Sequence, residues 1–558
     1  MKIPVFKIYT FLSIAIVGLI ISSCGDDWLD FQPIAAENSS SFYLTQAQGE
    51  QAVTAAYGLL CSRTIWDRNV PLYLCDVASD DCEAGGDYEN EVPEAEVFNR
   101  FTVLPTAGLI NETYGTLFRG VYFCNIGLEK IPNILDTDEN ANPATINRFL
   151  GELHFLRALN YLYLTHIWGA VPLVDHVLTG DEYEQGRSTF RALFDLMEAD
   201  LLFAIQNLPE RSGYGAADIG RATKGAAKAL LARVYLFESS YARNYSGDER
   251  FGNDLVEKWA DVLDYCTQVI ESDEYTLVGI AGETYDTWHS PVTDGFRYIF
   301  TVEGDNSPES VFEVQFIQDD LGYTHTRAGS LCQWVTARYY KTGPTTQALT
   351  PYWGLGWPNQ VLVDVFDPDD PRLQTTVAEE GDSVELSGGV LEPISFDNCP
   401  TGYYQKKYEL SAEQFADYTS GHGWQKSPYN FKLIRYSDVY LMGAEAAFML
   451  NNNATALEYV NKVRERARMC GGPGNLVPAD LTTITFQDIV DERRREFACE
   501  GRRFWDLVRW DLATENIGGT HTADGVAIQF QSPKNDFMPL PSQEVSLSGG
   551  LLHQYPGW

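Results

Sequence analysis

Apolar residues recur at spacings of three and four over two long stretches of the chain. The first runs from Thr45 to about Val278. Its stripes include Leu150-Leu153-Arg157-Tyr161-Leu164-Trp168, Phe190-Leu193-Met197-Leu201-Ile205-Leu208 and Trp259-Val262-Cys266-Val269. This period lines one face of an α-helix. Between Ala222 and Phe237 the stripe is rich in alanine (Ala222, Ala226, Ala229), so a partner helix can approach closely. The pattern returns from Lys432 to Met469 and from Phe486 to Trp510. Gly213, Gly215 and Gly220, and the run Asn451-Asn452-Asn453, are predicted as stops and turns between helices. Residues 279–431 break the period. There Gly, Pro, Thr and aromatic residues punctuate short strand-like runs such as Tyr298–Glu303 and Ser310–Ile317.

The expected fold is mainly α. Residues 24–278 and 432–510 form a helical scaffold, 279–431 a loop-rich and partly β insertion, and 511–558 a tail packed on the scaffold. Long loops carried by a rigid frame are where binding residues concentrate. Antiparallel helical hairpins with Ala and Tyr at their contacts resemble tetratricopeptide repeats, whose unit is about 34 residues. An irregular helical bundle is the alternative.

The N-terminus adds a location. Lys2 and Lys7 precede an apolar run from Ile8 to Ile21, which suits a signal peptide and is shorter than the roughly 20 residues that span a bilayer. Ile21-Ser22-Ser23-Cys24 resembles the bacterial lipobox. The resemblance implies a signal peptide over residues 1–23 and a lipidated Cys24, against the alternative of a plain secretory signal followed by an unrelated cysteine. Acyl chains at about 0.8 kcal/mol per buried methylene hold a protein to a membrane without threading it through. The acidic Gly25-Asp26-Asp27-Trp28-Leu29-Asp30 resembles the segment of lipoproteins carried to the outer face of some Gram-negative outer membranes.

Charge and composition remove several classes of function. With 78 acidic and 40 basic residues the formal charge is −38, which argues against nucleic acid, since binding there neutralises phosphates with Lys and Arg. The eight histidines show no zinc spacing, and no P-loop, GxGxxG or GxSxG occurs. Asp367-Pro368-Asp369-Asp370-Pro371 lacks the glycine and distal glutamate of a calcium loop. No local motif marks a catalytic carboxylate pair. The expectation is a binding protein with no catalytic residue, no metal and no cofactor. Apart from Cys24, nine cysteines remain; most read as small buried hydrophobes, with Cys75–Cys82 a candidate loop staple.

Two clusters invite a functional reading. Asp491-Glu492-Arg493-Arg494-Arg495-Glu496 and Glu500-Gly501-Arg502-Arg503 place opposite charges three and four residues apart, which favours a salt-bridge lattice over an arginine clamp for anions. Trp288, Trp334, Trp353, Trp357 and Trp424 fall within 279–431. Tryptophans on loops present flat apolar faces with a polar edge, suited to stacking on a sugar ring. The candidate ligand residues are Trp288, Trp334, Tyr339, Trp353 and Trp357, with Asp80, Asp81 and Asn99 from an earlier loop. Glycine and proline around Trp353 and Trp357 favour an exposed turn, with a packed loop plug as the alternative.

In order along the chain, several segments resemble the SusD/RagB-type nutrient-binding lipoproteins of the Bacteroidota. They are Ala78-Ser79-Asp80-Asp81, Gly151-Glu152-Leu153-His154-Phe155-Leu156-Arg157-Ala158, Trp168-Gly169-Ala170-Val171-Pro172-Leu173 and Pro308-Glu309-Ser310-Val311-Phe312-Glu313-Val314. Asp370-Pro371-Arg372-Leu373, Ile434-Arg435-Tyr436-Ser437-Asp438 and Glu492-Arg493-Arg494-Arg495-Glu496-Phe497 follow, then Glu500-Gly501-Arg502-Arg503-Phe504-Trp505-Asp506-Leu507 and Leu540-Pro541-Ser542-Gln543-Glu544. The resemblance implies a tetratricopeptide-like scaffold with a ligand-recognising loop region. It also implies an oligosaccharide ligand (a peptide in some relatives), a SusC-type TonB-dependent outer-membrane transporter as partner, and a lipid anchor at the cell surface. A surface adaptor that binds only a protein partner is the alternative from another class. Where the family usually carries a Trp, this chain has Tyr114.

Overall fold

The computed structural model describes residues 42–558 except 63–64, 67, 87–90, 279–294, 318–328, 350–351, 387–389, 411–426 and 473. The signal segment, Cys24, Trp288 and Trp424 lie outside the described residues.

Helices occupy the stretches that the stripes mark. In chain order they are α1 (Gln46–Gly58), α2 (Pro93–Asn99), α3 (Gly108–Lys130), α4 (Pro143–Trp168), α5 (Phe190–Asn207), α6 (Lys224–Asn244) and α7 (Trp259–Ile270). After the insertion come α10 (Tyr436–Met449), α11 (Asn453–Cys470), α12 (Phe486–Phe497) and α13 (Arg503–Arg509), with the short α8 (Gly295–Ile299) and α9 (Pro371–Thr376) inside it. Local chemistry sets the starts. The Asn142, Thr189 and Thr223 side chains accept hydrogen bonds from the backbone N–H groups of Ala144, Ala192 and Ala226, at 2.9, 3.1 and 3.0 Å. Each such cap is worth about 1 kcal/mol.

Successive helices pack as neighbours from α3 to α7, and α7 then packs against α10, which pairs with α11. The chain therefore leaves the helical stack after α7, builds the loop-rich part, and re-enters the stack beside the helix it left. The alanine face of α6 is fully buried at Ala226, Ala229 and Ala232. Residues of the tail close over the end of α4: Trp168 Nε1 donates to Pro539 O at 3.0 Å, and Ala170 N donates to the Tyr555 hydroxyl at 3.0 Å.

Among the described residues the β content is five two-stranded antiparallel sheets. β1 (Cys82–Gly85) pairs with β5 (Leu355–Pro358), β2 (Ser310–Val314) with β10 (Phe431–Arg435), β3 (Tyr339–Thr342) with β4 (Thr345–Ala348), β6 (Val377–Ala378) with β9 (Tyr404–Gln405), and β7 (Ser383–Leu386) with β8 (Val390–Pro393). The β2–β10 pair stands at the base of the insertion, where its first and last strands meet.

Four local expectations are corrected. Residues from Lys432 begin as strand β10 and turn helical only at Tyr436, because both faces of that strand are buried. Tyr298–Glu303 is the end of α8 and a turn rather than a strand. Phe486–Trp510 is two helices, broken where Cys499 and Gly501 adopt φ of +61° and +65°. A Cβ on Gly501 would lie 2.6 Å from the Pro71 Cα, so glycine is required there on two counts. The Cys75–Cys82 staple is absent, and all nine described cysteines are free thiols. Cys75 packs in the main core, whereas Cys82 faces a separate small core with its sulfur 3.9 Å from the Cys499 sulfur.

The charge-dense helices form a lattice, but a tertiary one. Arg435, at the end of β10, donates to Glu309 Oε1 at 2.8 Å, to Glu496 Oε1 at 2.7 Å and to both Glu500 oxygens at 2.8 and 2.9 Å. Arg466 from α11 pairs with Glu309 and Glu496. Arg372 from α9 reaches Asp370, Glu492 and Glu496 at 2.7, 2.6 and 3.1 Å. A second knot centres on Asp438, which takes Arg233, Arg493 and Arg502. Of the pairs read from spacing, only Glu492–Arg495 forms, at 3.4 Å. Glu500 turns instead to Arg435 and Lys407, and Arg503 to Asp80, because these side chains face other elements across the core.

Removing one member of such a knot leaves its partners buried and uncompensated. Glu496→Gln is therefore expected to cost about 3–5 kcal/mol in urea unfolding, while Arg495→Ala, at the rim of the lattice, costs about 1 kcal/mol. Equal losses would remove the distinction. Burial alone would raise the pKa of Glu496 and Asp438, but the arginines around each hold both well below the ordinary carboxylate range. Their stabilising contribution is thus complete at neutral pH and is lost as pH falls through those depressed values, which an acid titration of unfolding free energy measures.

Candidate functional site

Strand β1 leads out of the Asp80–Asp81 loop, and β5 lies in the middle of the insertion. Their pairing sets Glu83 opposite Trp357 and Gly85 opposite Leu355. The two regions read separately from the sequence are therefore one place. The close approach depends on glycine: a Cβ on Gly85 would lie 2.6 Å from the Gly354 carbonyl oxygen, and one on Gly356 2.6 Å from Leu72 Cδ1.

At one end of this seam is an aromatic cluster. The Trp334 and Trp353 rings are 5.3 Å apart and inclined at 33°. The Arg68 guanidinium lies 4.6 Å from the Trp334 ring centre. That of Arg338 lies 5.7 Å from Trp353 and 5.5 Å from Tyr339, and is held by Glu91 at 2.7 Å. Trp334 is buried, with its Nε1 donating to Ser330 Oγ at 2.9 Å. Trp353 and Tyr339 are half-buried. Trp353 thus keeps part of a ring face toward solvent while Trp334 backs it.

At the other end is a cleft of about 290 Å³, lined by Glu83, Glu96, Asn99, Trp357, Asp397 and Asp524 among others. The four residues from Trp353 to Trp357 span no more than about 14 Å. Glu83 accepts hydrogen bonds from Ala523 N at 2.9 and 3.0 Å, so the tail forms one wall. Burial pushes the Glu83 carboxyl up to about 7, the Ala523 N–H partly offsets this, and Asp524 and Glu96 add to the rise.

The structure places the remaining candidates differently from the expectation. Trp357 is 9 % exposed and packs in a small core with Ala337, Val384, Ile394 and Tyr404. The glycines around it shape a buried strand, not an exposed turn. Asp80 and Asp81 are sealed beneath the site. Arg503 grips Asp80 at 2.8 Å through two nitrogens, and Arg494 holds Asp81 at 2.6 Å. They fasten the loop to the helical scaffold, with both Asp80 oxygens and Asp81 Oδ1 engaged by the two arginines. Asn99 is buried and donates to Val77 O at 3.1 Å, although its residue lines the cleft. Tyr114 is buried edge-on against Trp168, at 5.0 Å, in the N-terminal third of the scaffold helix α3.

Sequence reasoning missed Arg68, Arg338, Glu83, Glu91, Asp397 and Asp524, which belong to no local motif. The one signal was Gly85-Gly86 facing Gly354 and Gly356, glycine pairs that mark a close backbone approach only once the pairing is known. A larger cavity, about 440 Å³, lies between the 211–223 connection and β2. Its cations are already committed: Arg211 to the carbonyls of Asn306, Ser307 and Ser310, and Arg221 to Glu50, Glu152 and Asp218. It reads as a scaffold seam. Among the described residues no group of three or more His, Cys, Asp or Glu is placed to hold a metal.

Comparison with known proteins gives this geometry its class. Residues 308–558 match the SusD family, and residues 86–236 match a related group described as "Starch-binding associating with outer membrane". The chain belongs to the SusD/RagB family. It is 23 % identical to the SusD-like protein P2 of Formosa agariphila, over 98 % of this chain and 99 % of that protein. Among solved structures it is similar to a laminarin binding SusD-like protein, with a TM-score of 0.71, 24 % identity and coverage of 92 % of this chain and 100 % of that one. It is likewise similar to surface glycan-binding protein A from Bacteroides thetaiotaomicron in complex with laminarihexaose, with a TM-score of 0.70, 22 % identity and coverage of 91 and 99 %.

The tryptophans of the seam differ in what they hold up. Trp357→Ala is expected to destabilise the protein by about 3–5 kcal/mol through the cavity left in its small core. Trp353→Ala, with part of its ring already in water, is expected to lose clearly less. Urea midpoints at unchanged slope check both, and a larger loss at Trp353 would reverse the assignment of wall and exposed face.

Proposed function

We propose that the protein is a cell-surface lipoprotein that captures an oligosaccharide and delivers it to a SusC-type TonB-dependent transporter in the outer membrane. It acts by binding, with no chemical step of its own. Membership of the SusD/RagB family is the observation that carries this reading, together with similarity to proteins named for binding laminarin and other glycans. Trp353, backed by Trp334 and flanked by Arg338 and Tyr339, supplies a suitable face. A protein with a formal charge of −38 holds a neutral polymer through ring faces and hydrogen bonds, not through net charge. A ring that buries about 100 Å² against a sugar contributes on the order of 2 kcal/mol. Two such contacts, less the cost of association, give micromolar to millimolar binding, which suits capture followed by release.

Calorimetric titration against a panel of oligosaccharides and peptides tests the reading. Saturable binding of a glycan supports it, and binding of peptides alone would turn it toward peptide import by a related lipoprotein. Trp353→Ala is expected to weaken the glycan about tenfold with little change in melting temperature, and binding of a neutral glycan should depend little on salt. Cys24→Ala is expected to abolish incorporation of labelled palmitate and release the protein from the membrane fraction. Labelling that survives the substitution would sink the anchor assignment.

A further inference from the structure

The cleft beside Trp357 has an unbalanced chemistry. Glu83 on β1, Glu96 on α2, Asp397 in the loop before β9 and Asp524 from the tail all line it. Glu96 is paired with Arg100 at 2.7 Å, and Asp397 with Lys341 at 2.9 Å. Glu83 has only the Ala523 N–H, and Asp524 only the Thr522 hydroxyl. Four carboxylates thus face two cations. On the strand opposite Glu83, Trp357 is buried, yet its Nε1 has no hydrogen-bond partner. Cross-strand partners project from the same face of a pair, so a carboxylate that lacks a cation and an indole N–H that lacks an acceptor share one wall. A buried donor left without an acceptor is unfavourable, and a ligand oxygen that reaches it removes that cost.

A metal ion does not fit the described residues, since no three of the ligating side chains converge. A simple hydroxyl satisfies the indole but leaves the excess negative charge. A primary ammonium next to a hydroxyl answers both demands: the hydroxyl oxygen accepts from Trp357 Nε1, while the ammonium donates to Glu83 and Asp524. A lysine side chain carries its ammonium on an apolar stem and lacks the neighbouring acceptor. We propose that this cleft is a subsite for a primary ammonium group borne on a hydroxylated ring, so that the captured glycan contains an amino sugar with a free amine. This rests on the glycan-capture reading and specifies the ligand for that same site.

The probes are glucosamine oligosaccharides, their N-acetylated counterparts of equal length, neutral laminari-oligosaccharides and a peptide with a free N-terminus, titrated into the full chain in detergent. The free-amine oligosaccharide is expected to bind about tenfold or more tightly than the N-acetylated one, as one charged hydrogen bond at a partly buried carboxylate provides. In Glu83→Gln that preference should fall to near unity while the N-acetylated ligand keeps its affinity. Asp524→Asn, at an exposed position, should reduce the preference independently of any effect on folding. Equal or weaker binding of the free amine, or a preference that survives both substitutions, overturns the inference. If only neutral or N-acetylated glycans bind, the ammonium subsite fails while glycan capture stands. If no glycan binds, the capture reading fails as well.

Discussion

The buried carboxylate–guanidinium lattice is the constraint on which the other parts of the structure rest. Glu496 alone is shared by Arg372, Arg435 and Arg466, which come from three segments far apart in sequence. Each charge has lost water, and only its partners in place compensate. The lattice therefore ties the second helical block, the base of the insertion and α9 into one arrangement. No member can shift without exposing another to an apolar interior. That fixes which segments can meet, and the charged form of Glu496 is favoured only while all three arginines are in place.

The same lattice aims the candidate site. Arg494 and Arg503, on the two helices that carry the knots, hold Asp81 and Asp80. Two residues at most separate those aspartates from Glu83, which faces Trp357 across the β1–β5 pair. Lys407, just after β9, is buried against Glu500 at 2.7 Å, and Gln405 on β9 donates to the Gly356 carbonyl at 2.9 Å. The seam is thus braced from below on both strands. The brace and the aromatic rings above it are built from different residues, so the position of the seam does not depend on Trp334 or Trp353.

Much of the scaffold was legible because helical period is a local property. The stripes from Leu150 to Trp168 and from Phe190 to Leu208 coincide with α4 and α5, and even their polar intrusions were informative. Arg157, set in an apolar stripe, grips Asp200 of the next helix at 2.7 and 2.8 Å. The break between α12 and α13 was less visible, because Gly501 is needed for a contact with Pro71, a residue over four hundred positions away. The site was legible only as two neighbourhoods. Nothing in the local sequence distinguishes Trp353, which keeps part of its face, from Trp357, which fills a core. That difference is decided by tertiary neighbours: Trp357 lies in β5 over the core of Ala337, Val384, Ile394 and Tyr404, whereas Trp353 precedes the strand and packs on Trp334.

Asp80 and Asp81 show why a motif and a site are easily confused. Both are acidic, both stand in a loop, and both lie just before the strand that lines the cleft. Yet burial would raise each carboxyl, and it is the guanidinium groups of Arg503 and Arg494 that hold Asp80 low, while Asp81, crowded by Asp80, stays raised. Such a pair is spent on fastening. Glu83, two residues on from Asp81, has no such cation and faces the open cleft. Asp80 and Asp81 stand in the loop before β1 and turn to arginines of the scaffold, whereas Glu83 stands in β1 and lines the cleft, and the distinction is one of partners, not of residue type.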